Sequence, residues 1–405
     1  MLFRNVTLVL PDALRPAAWL RVADDGKIVA FGEAGSVPPA PWPDEEIIEG
    51  RAGDLLAPGF IDAHVHGALG CDAMSATGDV FKKICRFHAA VGGTTALALT
   101  SVAAADGDLF RLLDAARDFR ATQTPGEGAR LLGVHVEGPF FAATKAGAHR
   151  REFLRAPNPA TDSRWLARHA DVITQLTLAP ELPGALALLD ALRAQNILAS
   201  AGHSEATDAE LSAAHAQHGL RHVTHLFNAM SSAQRRGAYR VAGLAEWALS
   251  EPGVRCEIIA DGHHVSPTLL RLAHRAKGAD NLCLVTDATA GAGLPEGARY
   301  SLGALACEVR DGVGFTKNFD GAVALAGSTA TMLRCVKNMI SLAGVPLVEA
   351  VRMATLTPAR ALGLAHRCGQ LAPGLDADLV WLSAELELRA TYVRGRRILG
   401  EVAAI

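Results

Sequence analysis

The sequence predicts an α/β protein: a (β/α)8 barrel of the TIM type, with a small β-sandwich domain formed from both chain termini. Three observations predict it. Short apolar strands alternate with Ala/Leu-rich helical segments through the middle of the chain, which implies βα units and a parallel sheet. Both ends carry a β rhythm instead. Polar residues of one chemical kind close the central strands, where a barrel keeps its reactive face.

The elements follow in order. The first 57 residues hold the β-like runs "FRNVTLVL", "AAWLRVADDGKIVAFG" and "EEIIEGRAGDLLAPGFID", separated by "DDG" and the Pro-rich "VPPAPWPDE". The rhythm then changes. Strand-like "TTALALT", "RLLGVHVEG", "NILASAGHS", "HVTHLFNA", "RCEIIADGHH" and "NLCLVTDAT" alternate with helical "GDLFRLLDAARDFRATQ", "GALALLDALRAQN" and "TDAELSAAHAQHG". The last helix has a Thr and an Asp at its start and Gly219 just past its end, as capping prefers. Roughly eight strands fit between Leu55 and Leu364, and no GxGxxG opens the first helix, so a closed barrel over 58–370 is favoured over an open Rossmann sheet. From 371 to 405 the β rhythm returns in "GQLAPGLDADLVWLSAELELRATYVRGRRILG", which is expected to join residues 1–57.

Composition narrows the class of function. The chain has 405 residues, 50% of them hydrophobic, and a net charge of −3 with no basic run, which gives no bias toward nucleic acid or membrane. No apolar stretch is long enough for a span, and the N-terminus has no secretory pattern. Seven scattered cysteines with no CxxC argue against a disulfide framework and for a reduced, cytoplasmic protein.

The chemistry lies at the strand ends. In "GFIDAHVHG", His64 and His66 are two apart and so project to one face of a strand. Glu137 closes "GVHVEGPF", His203 "SAGHS", His225 "VTHLFNAM" and Asp287 "LVTDAT". Four histidines and a carboxylate can hold two divalent ions if the carboxylate bridges them, with His64 and His66 on one and His203 and His225 on the other. Asp287 is then left for proton transfer. Cys71 reads as a structural thiol, and His215, His218, His88, His169, His274 and His366 as ordinary helical residues. His135, two before Glu137 on the same face, is a candidate partner behind the ligands.

"PGFIDAHVHG", "HVEGPF", "AGHS", "THLFNAM", "IADGHHV", "LCLVTDA" and "LAGSTATM", in this order, resemble the N-acetylglucosamine-6-phosphate deacetylase family of the amidohydrolase superfamily. The resemblance implies metal ligation by Glu137, His203 and His225, and Asp287 as general base and then general acid. Retention of both His64 and His66 admits a second ion. Zinc is the first expectation, with iron, manganese or cobalt as alternatives. The resemblance further implies that Asn228, Ala229, Arg236 and His264 contact a sugar phosphate, with Arg236 acting across a homodimer interface, and that Ala148, His149, Leu325, Ala326 and Gly327 line the sugar. The stretch "SSAQRRGAYRVAG" departs from the family pattern and leaves Arg235 and Arg236 as alternatives for the phosphate. The implied reaction is metal-dependent deacetylation of N-acetyl-D-glucosamine 6-phosphate in amino-sugar breakdown. Its alternatives are the galactosamine epimer or another N-acyl amine.

Overall fold

The computed structural model describes residues 1–33, 36, 40–317 and 323–398. Part of the Pro-rich stretch (37–39) and the end of the second small-domain segment (399–405) lie outside them. Eight parallel strands form the central sheet: β1 Phe60–Val65, β2 Thr94–Thr100, β3 Arg130–Glu137, β4 Ile173–Leu178, β5 Leu198–Ala201, β6 His222–Val223, β7 Arg255–Ile259 and β8 Leu282–Val285. They pair in sequence order, each with the next.

The last seam, between β8 and β1, closes just past the strand ends. Val65 bridges Ala288 in parallel register, the His66 N–H donates to the Ala288 carbonyl at 2.7 Å, and the Asp287 N–H donates to the His64 carbonyl at 3.0 Å. Below these bonds, the Thr286 hydroxyl donates to buried Asp62 at 2.6 Å. The sheet is therefore a nearly closed barrel of parallel strands joined by βαβ connections.

Helices α1 Gly78–Gly92, α2 Asp106–Thr122, α3 Pro159–His169, α4 Ala185–Ala194, α5 Asp208–His218, α6 Leu244–Ser250, α7 Pro267–Lys277 and α8 Met332–Ala343 follow the strands in turn. Each turns an apolar stripe inward, as with Phe81, Ile84, Cys85 and Ala89 on α1. The caps expected for α5 are present. Glu210 accepts from the Thr207 N–H at 2.8 Å, and Gly219 takes φ +76°.

One feature differs from the sequence expectation, and one bears it out. Between β8 and α8 the chain leaves the barrel for a four-stranded antiparallel sheet, Arg299–Leu302, Leu305–Arg310, Val313–Lys317 and Val323–Leu325, with its own apolar cluster around Tyr300, Leu302, Cys307 and Val309. This excursion has the same period-two pattern as the termini, and sequence pattern alone does not separate the two. The terminal strands also form one continuous eight-stranded mixed sheet, joined where Leu55–Pro58 pairs antiparallel with Leu379–Leu382. Residues from both of its halves, including Phe3, Leu20, Ile28, Leu379 and Tyr392, share a second core. Arg130, at the start of β3, ties this sheet to the barrel through Asp376 at 2.8 Å and Asp378 at 3.0 Å.

Candidate metal centre and active site

The barrel topology explains why so few residue types converge here. His203, His225 and Asp287 each stand two residues past the end of their strands, β5, β6 and β8. Each has a left-handed backbone, with φ of 49°, 30° and 50°. Such conformations are unfavourable for non-glycine residues, and they turn a side chain back over the barrel mouth when the surrounding structure enforces them. His64 and His66 reach the same point from β1, and Glu137 is the last residue of β3.

The side chains meet. His203 Nε2 lies 3.3 Å and His225 Nε2 3.1 Å from Glu137 Oε1, and the two nitrogens are 3.0 Å apart. On the other side, His66 Nε2 is 3.3 Å from Glu137 Oε2 and 3.2 Å from Asp287 Oδ1, while the His64 and His66 Nε2 atoms are 3.3 Å apart. All six residues are buried. His149 adds a fourth imidazole to those already given against the carboxylate, its Nε2 3.4 Å from Glu137 Oε2. Because the Ala103 N–H donates to His149 Nδ1 at 3.0 Å, a neutral His149 carries its proton on Nε2 and donates to Glu137.

The donor set fits divalent cations. The Nδ1–H of His203 donates to the Lys145 carbonyl at 2.7 Å, which leaves the Nε2 lone pair pointing at the His225 nitrogen and a carboxylate oxygen. His203 Nε2 and Glu137 Oε1 are thus two acceptors 3.3 Å apart, with His225 Nε2 within 3.1 Å of both, a donor set that a divalent cation would satisfy. Two groups of potential ligands, His64 with His66 and Glu137, and Glu137 with His203 and His225, share the glutamate.

The electrostatics agree. Burial acts to raise the pKa of Glu137, but the charge of His64 and the imidazoles of His149, His203 and His225 packed against it hold it well below the usual carboxylate range. Asp287 is lowered as well, burial being overcome by His64 and His66. Those two rings are in turn raised by Glu137 and Asp287 against the effect of burial. His203 behaves differently. Burial, with some help from its histidine neighbours, lowers its pKa to about 4, so it is a neutral imidazole at pH 7.

A cavity of about 180 Å³ opens directly onto Glu137, His66, His203, His225 and Asp287. The sequence-predicted Ala148, His149, Asn228, Ala229, His264, Leu325 and Gly327 also line it. Two close approaches shape the wall. A Cβ on Gly147 would sit 3.0 Å from the His203 ring, and one on Gly327 would sit 2.8 Å from the Asp287 carbonyl oxygen. His264 is held by Asp261 at 2.7 Å; burial opposes its charge, but Asp261 wins and raises its pKa.

Two expected residues lie elsewhere. Ala326 is fully buried in the apolar cluster of the excursion sheet, behind the lining formed by its neighbours. Arg236 is on an exposed hairpin, Gln234–Arg236 paired with Tyr239–Val241, outside its own chain's cavity. His135 touches the ring of His64, with centroids 4.6 Å apart, and its Nε2 bonds Thr177 at 2.7 Å. Sequence reasoning passed over Val102, Gly147 and Leu302 in the lining, and a buried glutamate, Glu257, behind His64. Its signal was a single acidic residue inside the apolar run "RCEII".

The described region matches known proteins throughout. The amidohydrolase family pattern covers residues 55–398. An N-acetylglucosamine-6-phosphate deacetylase of Vibrio furnissii is 36% identical over 343 residues, 85% of this chain and 82% of that protein. An N-acetylgalactosamine-6-phosphate deacetylase of Escherichia coli O157:H7 is 34% identical over 384 residues, 95% of this chain and 96% of that one. The solved structure of a mutant N-acetyl-D-glucosamine-6-phosphate deacetylase of Mycobacterium smegmatis, in complex with N-acetyl-D-glucosamine-6-phosphate, superposes with a TM-score of 0.87 at 34% identity, covering 98% of this chain and 99% of that one. A nearly closed parallel barrel, histidines and a glutamate converging at its mouth, and likeness to deacetylases along almost the whole length lead to one statement: this chain belongs to the amidohydrolase family.

Proposed function

We propose that this protein hydrolyses the acetamide of N-acetyl-D-glucosamine 6-phosphate to D-glucosamine 6-phosphate and acetate, in the breakdown and recycling of amino sugars. The observation that carries the reading is the convergence of four imidazoles and one carboxylate, with Asp287 beside them, on a small cavity at the barrel mouth. Glu137, His203 and His225 would hold one divalent cation; His64 and His66, sharing Glu137, would hold a second. Zinc is the metal proposed. When bound, such a cation polarises the acetamide carbonyl and makes water acidic enough to attack near neutral pH.

The chain's own groups do the rest. Asp287, ionised in its setting beside His64 and His66, accepts the proton of the attacking water and returns it to the departing nitrogen, since an amine leaves only when protonated. Asn228 and Ala229, directly after His225, are proposed to meet the phosphate, and His264 to contact the substrate across the cavity. Ala148, His149, Leu325, Ala326 and Gly327 form the sugar wall, either at its surface or as its backing. Arg236 would serve a neighbouring copy's substrate in a homodimer, a role its exposed hairpin suits. Placement in the cytoplasm is supported by the seven free thiols. The organisation proposed is a barrel domain, 58–370, and a small domain, 1–57 with 371–405.

The second reading, deacetylation of the galactosamine epimer, is favoured by the Escherichia coli relative. Acetate release measured on both epimers separates them. The gluco epimer should give the higher kcat/KM, and a higher value for the galacto epimer would reverse the assignment.

A further inference from the structure

Glu257 belongs neither to the two ligand groups that share Glu137 nor to the cavity wall. It projects from β7 into the barrel interior with no exposed surface. Its Oε2 lies 3.2 Å from His64 Nδ1, and its Oε1 accepts the Gln175 amide N–H at 2.7 Å and lies 3.3 Å from His222 Nε2. Gln175 and His222 are buried as well. A carboxylate so placed persists only if donors surround it, because an unpaired buried charge is strongly unfavourable.

That requirement places a proton on His64 Nδ1, whether or not the ring carries a second one. An ionised carboxylate only accepts hydrogen bonds, so the proton in the 3.2 Å contact belongs to His64 Nδ1. A neutral ring protonated there has its lone pair on Nε2. His64 Nε2 points into the anionic centre, 3.3 Å from His66 Nε2 and 3.5 Å from both Glu137 and Asp287.

We propose that Glu257 is a positioning residue for a second divalent cation, held by His64, His66 and Glu137: it fixes the tautomer and orientation of His64 from behind. The inference rests on reading the chain as a metal-dependent deacetylase and extends it to how the second position is built. The first position uses the same device in a weaker form, with the Lys145 carbonyl accepting the His203 Nδ1–H. The other two rings are not held in this way, since Nδ1 of His66 and of His225 has no hydrogen-bond partner among the described residues. Each half of the centre therefore has one imidazole fixed from behind. A carboxylate behind a ligating imidazole also raises its basicity, and removing such a partner typically weakens metal binding about 10- to 100-fold.

His64, His135 and Glu257 could themselves surround an ion, their ligand atoms lying within 4.8 Å of one another. The experiment distinguishes this arrangement. Zinc is titrated into metal-stripped full-length protein against a chromophoric chelator, for the wild type and for Glu257→Gln, Gln175→Met and His66→Ala. The wild type should take two ions. Glu257→Gln should keep one at wild-type affinity and bind the other about 10- to 100-fold more weakly, with a smaller shift of the same ion in Gln175→Met and its loss in His66→Ala. Wild-type affinity for both ions in Glu257→Gln overturns the inference. So does a His66→Ala protein that keeps both ions, which would place the second ion behind His64. If circular dichroism shows Glu257→Gln unfolded, an unchanged second affinity in Gln175→Met overturns it instead. A wild type that takes one ion overturns it while leaving acetate release intact, whereas a two-ion protein that releases no acetate counts against the deacetylase reading alone.

Discussion

The Nε2 atoms of His203 and His225 face each other across 3.0 Å, each within 3.3 Å of the same oxygen of Glu137. Neither ring has another acceptor for a proton at that nitrogen, and His203 has its own proton committed to Lys145. His203→Ala or His225→Ala should therefore lose tightly bound metal and activity together, with kcat down by at least ~10². Metal content by plasma mass spectrometry, read beside acetate release, checks this. A variant that keeps full metal and rate would remove the pair from the centre.

Asp287→Asn should retain most of the bound metal while kcat falls by at least ~10². Its carboxylate contacts His66 at 3.2 Å, yet four imidazoles and Glu137 remain to hold cations. Metal loss equal to that of His203→Ala would make Asp287 a ligand first and a proton carrier second.

The proposed phosphate recognition can be tested on two arginines of one hairpin. The Arg235 Nε–H donates to the Gly237 carbonyl at 2.9 Å, whereas the Arg236 guanidinium makes no hydrogen bond or ion pair with another described residue. Remote binding energy of this kind orients the reacting group. The unphosphorylated sugar should be a poorer substrate by at least ~10² in kcat/KM. Arg236→Ala should reduce use of the phosphorylated sugar and leave the neutral one nearly unchanged. A larger loss in Arg235→Ala would exchange the two roles.

Acid should destabilise the fold through a histidine outside the cavity lining. His88 is fully buried on α1, its Nε2 against the Gly67 carbonyl at 3.1 Å, and burial lowers its pKa from 6.5 to about 4. Between those values the unfolded chain binds the proton and the folded one does not, so stability is fully present above about pH 6.5 and declines as pH falls toward 4. The shift corresponds to about 3 kcal/mol at most. In metal-stripped protein, denaturant midpoints from pH 7 to pH 4.5 should fall less steeply for His88→Gln than for the wild type. Parallel slopes would remove His88 from the account.

Much of the site could be read from sequence because a parallel barrel converts strand ends into one surface. His64, His66, Glu137, His203, His225 and Asp287 each close an apolar run, and the fold brings those ends together. The residues behind them left a fainter trace. Glu257 in "RCEII" and Gln175 in "ITQLTL" are single polar residues inside short strands, and nothing in one dimension says that β4 and β7 aim them at each other. The excursion strands from Arg299 to Leu325 share their alternation with the terminal sheet, so period alone could not assign them. Their packing did, around Tyr300 and Leu302 beside the cavity.

The seam between β8 and β1 couples the barrel's weakest closure to its chemistry. The bonds that close it run from His66 to Ala288 and from Asp287 to His64, so the cylinder is fastened at the very backbone atoms that carry two candidate ligands and the proposed proton carrier. Any breathing motion that parts this edge also moves Asp287 out of line with the imidazoles. Inactivation by mild heat or denaturant should then precede global unfolding only as far as this edge opens early, and deuterium uptake at the amides of His66 and Asp287 should keep time with the loss of turnover.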